Sequence, residues 1–275
     1  MHKILVVDDS SNERNGLCRL LERAGYDVRS AADGVEALQK VDDGHVDLLL
    51  LDIWMPRMNG IELLALLPDD PRPRALVITG DESAEVLLQS LREKAYCFVS
   101  KPINPEDFLR IVRRTLESPC DCDPIEVRSA DPNWVELRFP CAIQAADRIE
   151  GVVEQLNLGM PARIRESLKT AVHELLMNAV QWSRHSGPDA QVHMDYLRTR
   201  KFVMCRIADP GAGFEPSTGK SFFPSELPRT VSFDQSQSGI ASRPDGFSIR
   251  LVESLVDEIV FNESRNEVAI VKYLN

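Results

Sequence analysis

Residues 3 to 116 alternate five times between a short apolar run and an amphipathic stretch, and few architectures accommodate that order. The apolar runs are Lys3 to Val7, Asp27 to Ser30, Asp47 to Leu51, Arg74 to Ile78 and Tyr96 to Val99. The stretches between and after them, Ser11 to Arg23, Gly34 to Val41, Asn59 to Leu66, Glu82 to Arg92 and Pro105 to Leu116, carry helical periodicity. Short strands separated by helices ask for a parallel sheet with helices on both faces, so the pattern predicts a doubly wound five-stranded α/β domain.

In such sheets the working residues stand at the carboxyl ends of the strands. The first strand ends at Asp8 and Asp9, the third at Asp52, the fourth at Thr79 and Gly80, and the fifth runs into Ser100, Lys101 and Pro102. Carboxylates gathered in one pocket repel each other unless a cation sits among them, and an all-oxygen set with few ligands suits Mg²⁺ that keeps several waters. With that charge neutralised, one carboxylate can attack a phosphoryl donor in line while Lys101 and Thr79 donate to the transferred oxygens. The plainer reading, in which Asp8 and Asp9 only cap a helix, leaves the other strand ends without a purpose.

The segments Val6-Val7-Asp8-Asp9, Leu51-Asp52-Ile53-Trp54-Met55-Pro56-Arg57-Met58-Asn59-Gly60, Ile78-Thr79-Gly80 and Val99-Ser100-Lys101-Pro102 resemble the response-regulator receiver family in order and spacing. The resemblance implies that Asp52 is the phosphoacceptor, with Asp8, Asp9, Asp52 and the backbone carbonyl of Trp54 as the Mg²⁺ ligands. It further implies that Thr79 is the switch hydroxyl, that Lys101 contacts the phosphoryl group, and that Phe98 is the switch aromatic. An upstream sensor histidine kinase is the implied donor.

A chain of 275 residues suits two domains, each with its own core. A polar stretch with Pro119, Pro124 and Pro132 cannot continue the last helix. The expected division is therefore a first domain over residues 1–118, a linker over 119–133 and a second domain over 134–275. Within the second domain, Trp134 to Phe139 alternates like a strand, Gln144 to Leu156 reads as a helix, and Pro161 opens another that runs towards Ser183. Glu174 and Asn178 lie four apart on that helix and share a face. An acid and an amide so placed can serve as a general base and a metal ligand, or can equally be a solvated face.

Further on, strand-like Lys201 to Ala208 ends in Asp209, Gly211 and Gly213, and Gly246 with Ser248 opens a helix over Arg250 to Val256. A buried acid beside glycines can read the exocyclic amine of a purine, and glycines at a helix start can admit phosphates. The intervening residues 214–245, rich in Ser, Gln, Pro and Gly, suit a loop that closes over a nucleotide. The order Glu174-x-x-x-Asn178, Asp209-x-Gly211-x-Gly213 and Gly246-x-Ser248 resembles the Bergerat-type ATPases, and the flanking sequence is similar to the anti-sigma-factor serine kinases among them. That resemblance implies an α+β sandwich, a mixed sheet with helices on one face, that binds ATP with Mg²⁺ and phosphorylates a serine of a small antagonist of the anti-anti-sigma type, upstream of a sigma factor. Carried over, Glu174 is the general base, Asn178 the Mg²⁺ ligand and Asp209 the adenine reader, while Gly211, Gly213 and Gly246 line the nucleotide loop. The family usually has glycine where Ser248 stands and histidine where Trp182 stands. Related kinases also suggest a homodimer.

Two alternatives stay open: a module that binds ATP and sequesters a partner without transferring phosphate, and an atypical histidine kinase using His173. The second lacks a phosphoacceptor hairpin. His173, Glu174 and Met177 imitate a zinc-protease helix, but methionine stands where the second histidine is required. Gly219, Lys220 and Ser221 imitate a phosphate loop without its earlier glycine. The six cysteines are scattered, apart from Cys120 and Cys122, and read as free thiols. Net charge is −11, shared nearly evenly between the halves, which disfavours nucleic acid as a partner. The longest apolar runs are far short of the roughly 20 residues that span a bilayer. A cytoplasmic protein without a membrane partner is the expectation.

Overall fold

The computed structural model describes residues 1–80, 83–117, 125–128, 131, 133–183, 186–187, 189–211 and 247–274. The residues 119–124, Gly213, Gly246 and the whole of 214–245 lie outside the described residues.

The N-terminal domain is the doubly wound one. Its strands β1 (Lys3–Val7), β2 (Asp27–Ala31), β3 (Leu48–Asp52), β4 (Arg74–Thr79) and β5 (Cys97–Ser100) form one sheet in the order β2-β1-β3-β4-β5, with every pair parallel. Helices α1 (Ser11–Arg23), α2 (Gly34–Asp42), α3 (Gly60–Leu66), α4 (Ala84–Arg92) and α5 (Pro105–Glu117) connect and follow the strands. The period-2 geometry of a strand divides the core. Leu5, Val7, Leu49, Leu51 and Val77 face one layer, and Ile4, Val6, Leu48, Leu50 and Leu76 face the other with Phe108 and Val112.

Local signals fix where helices begin. Asp33 accepts from the N–H groups of Val35 and Glu36, and Asn59 and Glu62 form a reciprocal capping box at the start of α3. Gly60 must be glycine for a packing reason, because a Cβ there would stand 2.4 Å from the carbonyl oxygen of Asp52 and 2.9 Å from Cα of Ile53. Gly60→Ala is expected to displace the end of β3 and to lower stability by about 1–3 kcal/mol, read from chemical denaturation.

The C-terminal domain is a two-layer sandwich. Strands β6 (Glu126–Val127), β7 (Trp134–Pro140), β8 (Gln191–Arg198), β9 (Phe202–Ala208), β10 (Glu258–Phe261) and β11 (Glu267–Tyr273) form a sheet in the order β10-β11-β9-β8-β7-β6. All of the described pairs are antiparallel, as hairpins such as β8 to β9 and β10 to β11 require. Helices α6 (Ile143–Leu156), α7 (Ala162–Trp182) and α8 (Phe247–Leu255) cover one face, where Leu137, Phe139, Met194, Cys205, Ile207 and Ile270 are buried. Residues 125–128 correct the expected linker of 119–133: Ile125 is buried and Glu126–Val127 pair with β7. A two-residue strand has no periodicity to betray it.

The two domains share a core. Leu87, Leu88 and Leu91 of α4 pack in one cluster with Ile125 and with Ile149, Val152 and Val153 of α6. Polar contacts border that seam. Ser100 Oγ donates to Gln155 Oε1 at 2.8 Å, Arg148 Nε donates to the carbonyl of Tyr96 at 2.8 Å, and the Arg148 guanidinium lies 4.4 Å from the Tyr96 ring centre. Arg114 of α5 pairs with Asp147 of α6.

Candidate functional site

At the carboxyl edge of the first sheet, Asp8 is 2% exposed and Asp52 is 7% exposed. Lys101 joins them: its Nζ lies 2.9 Å from Asp52 Oδ1, 3.1 Å from Asp8 Oδ2 and 2.6 Å from Glu13 Oε2. The other oxygen of Asp52 accepts from the N–H of Trp54 at 2.9 Å, and Asp8 Oδ1 accepts from the N–H of Ser10 at 2.8 Å. Burial pushes the Asp52 carboxyl above the usual range, against the pull of Lys101 and the Trp54 N–H and with the charge of Asp8 adding to it. Burial alone would lower Lys101, but Glu13, Asp52 and Asp8 outweigh it and hold the ammonium charged far above its ordinary range. Thr79 is buried beside this pocket, its carbonyl accepting from the N–H of Lys101 at 3.0 Å.

The second site lies between α7, α8 and the sheet, in an open cleft with mainly apolar walls. Leu175, Ala179, Ile207, Ile249, Phe261 and Val268 supply its walls, and Asn178, Asp209 and Ser248 reach into it. Asp209 Oδ1 accepts from the Gly211 N–H at 2.8 Å and from Ser183 Oγ at 3.2 Å. Its Oδ2 makes no hydrogen bond to a described residue. A Cβ at Gly211 would stand 2.6 Å from that Oδ1, so a side chain there would push the carboxylate aside. Burial raises the Asp209 carboxyl above the usual range, opposed by the Gly211 N–H and the Ser183 hydroxyl. Glu174, 8% exposed, accepts from Ser248 Oγ at 2.8 Å, and Asn178 Nδ2 donates to the same Oγ at 3.1 Å.

Residues 4–113 match the response regulator receiver domain family, and residues 140–272 match the histidine kinase-like ATPase domain family. The chain joins a receiver domain to a histidine kinase-like ATPase domain. The nitrogen assimilation regulatory protein NtrX of Azorhizobium caulinodans is 32% identical over 120 residues, which are 42% of this chain and 26% of the relative. The transcriptional regulatory protein CpxR of Escherichia coli is 36% identical over 116 residues, covering 42% of this chain and half of CpxR. The DNA-binding response regulator MtrA of Mycobacterium tuberculosis is 28% identical over 207 residues, 72% of this chain and 87% of MtrA. The crystal structure of a receiver domain protein from Methanospirillum hungatei is 34% identical, with a TM-score of 0.41, and covers 42% of this chain and 94% of its own. This chain thus spans about a quarter of the length of NtrX.

Within the receiver, Asp8, Asp52 and Lys101 converge as expected, with Thr79 beside them. Asp9, next to Asp8, is exposed and does not join the ion pairs of Lys101. Glu13 joins Lys101 instead. An acid in the first turn of a helix reads from sequence as a complement to the helix dipole, which is why its role in the pocket was not visible. Phe98 packs against the receiver core and against the core shared with the ATPase domain. Trp54 is 59% exposed.

In the ATPase domain Glu174, Asn178, Asp209, Gly211 and Ser248 come together, while Gly213 and Gly246 lie outside the described residues. Sequence reasoning missed Ser183, which steadies Asp209, and Asn266, whose Nδ2 donates to the carbonyls of Asp209 at 3.3 Å and Gly211 at 3.2 Å. No described helix is long and apolar enough to cross a membrane.

Proposed function

We propose that the chain is a response regulator phosphorylated on Asp52 by a sensor histidine kinase, and that its output is an ATP-dependent serine kinase acting on a partner-switching antagonist protein of the anti-anti-sigma type. The observation that carries the output is one apolar cleft lined by Asp209, Asn178 and Ser248, with Glu174 bonded to the Ser248 hydroxyl. Oδ2 of Asp209 accepts the exocyclic amine of adenine, the apolar walls hold the ring, and Glu174 takes the proton of the incoming hydroxyl. Asn178 would hold Mg²⁺ there. In the receiver, Asp8, Asp9, Asp52 and the Trp54 carbonyl would hold it, and their hard oxygen set fits, because two buried carboxylates, Asp8 and Asp52, already draw in one cation, Lys101. The ion supplies charge neutralisation of the transferred phosphoryl oxygens. Lys101 and Thr79 then donate to those oxygens as Asp52 attacks.

Purified chain, labelled ATP and a candidate antagonist test the output. Acid-stable label on the antagonist supports the reading, and ATP binding without transfer supports the sequestering alternative. That alternative has one observation in its favour, the Ser248 hydroxyl lying against both Glu174 and Asn178.

The raised Asp209 carboxyl gives ATP binding a pH dependence. A protonated acid loses the acceptor that reads the amine, so affinity is expected to fall on acidification at a higher pH than an ordinary aspartate would set. Calorimetry across pH checks this, with Asp209→Asn showing a flattened profile.

Control passes, in this reading, through the seam between α4, β5 and α6. Ser100, bonded to Gln155, is the neighbour of Lys101, so a change at Asp52 reaches α6 through one peptide unit. The pair Leu88→Ala and Arg148→Ala removes a buried leucine and a guanidinium that caps Tyr96, together about 3–5 kcal/mol across the seam. Scanning calorimetry is expected to show the variant melting in two transitions and the wild type in one.

A further inference from the structure

Ser248 stands out in sequence only as a departure from a glycine, yet its hydroxyl lies where chemistry would occur. It opens α8, which packs against α7, and its Oγ donates to Oε2 of Glu174 at 2.8 Å while receiving from Nδ2 of Asn178 at 3.1 Å. A carboxylate that serves as general base marks by its own position where the attacking oxygen stands, at about 2.6–3.2 Å. The Ser248 Oγ occupies that position, and it lines the same cleft as Asp209.

We propose that Ser248 is an internal phosphoryl acceptor, so that the protein, given Mg²⁺ and ATP, phosphorylates its own Ser248 in cis. This rests on the reading of the cleft as an ATP site with Glu174 as base. In the step, Ser248 Oγ attacks the γ-phosphorus and its proton passes to Glu174 Oε2. The Oγ–P bond forms as the bond from the γ-phosphorus to the β,γ-bridging oxygen breaks, and ADP leaves. Glu174 then returns its proton to water.

The product carries close to two negative charges beside the Glu174 carboxylate and in the space a second γ-phosphate would need. Like-charge repulsion lowers the affinity of the modified protein for ATP, so the reaction stops at one phosphoryl group per chain. A partner's serine would compete for the same position, and unmodified Ser248 blocks it until displaced.

The test uses the full chain with labelled ATP and Mg²⁺ and no partner, with nucleotide binding measured by calorimetry on the same preparation. The expected result is label that resists acid and hydroxylamine, reaching about one per chain, mapped by mass spectrometry to Ser248, with a rate per chain independent of protein concentration. Ser248→Thr keeps the label on residue 248, and Ser248→Ala abolishes it. Wild-type protein that binds ATP yet carries no phosphate on Ser248 overturns this inference alone. A rate that rises with protein concentration overturns the transfer in cis, and wild-type protein that binds no ATP overturns the underlying reading of the cleft.

Discussion

Replacing Lys101 by alanine is expected to destabilise the metal-free receiver by about 3 kcal/mol at neutral pH, because it leaves two buried carboxylates without their counter-ion. The sign of the pH dependence follows from Asp52. Its carboxyl already sits above the usual range in the folded protein, and losing Lys101 pushes it further up. A carboxyl raised on folding costs stability once the pH climbs above the unfolded value, so the deficit grows towards neutral pH and shrinks as acid protonates Asp52. Millimolar Mg²⁺ is expected to restore much of the loss by standing among the same oxygens. Phosphorylation of Asp52 by a small acyl phosphate is a separate readout. It should fall by about 10²–10³, the cost of one lost donor to the transferred oxygens. A variant as stable as the wild type at neutral pH would show that Lys101 does not hold this pocket together.

The pocket that Lys101 organises was legible because a parallel sheet turns strand ends into a place. Once five apolar runs are aligned, Asp8, Asp52, Thr79 and Lys101 have nowhere else to be. Glu13 was not legible, since a helix-start acid has an ordinary explanation. In the ATPase domain the helix carrying Glu174 and Asn178 was visible from its period. The strand Gln191–Arg198 alternates buried and exposed side chains, but nothing in its own sequence says that its partner is the distant Trp134–Pro140. The bond from Ser248 to Glu174 spans 74 residues and no local pattern encodes it. Leu87, Leu88 and Leu91 lie in a stretch whose sequence shows only a receiver helix, and they are buried in the cluster shared with the ATPase domain.

Glu174→Gln is expected to lower phosphoryl transfer by about 10²–10⁴ while leaving ATP bound, since the amide keeps the shape of the side chain but cannot take a proton. Ser248 can still donate to the glutamine carbonyl oxygen, so the cleft should keep its geometry. Single-turnover transfer to an antagonist protein gives the rate, and calorimetry gives the affinity. Transfer at the wild-type rate would mean that another group accepts the proton.

The proposed output of the second domain depends most directly on whether the cleft beside Asp209 takes a nucleotide. Calorimetric titration of the full chain with ATP and Mg²⁺, run beside Asp209→Asn, addresses it. Saturable binding by the wild type, weakened about 10- to 100-fold in the variant as the loss of a charged hydrogen bond requires, is the predicted result. Absence of binding to the wild type, or equal binding to both, would contradict it.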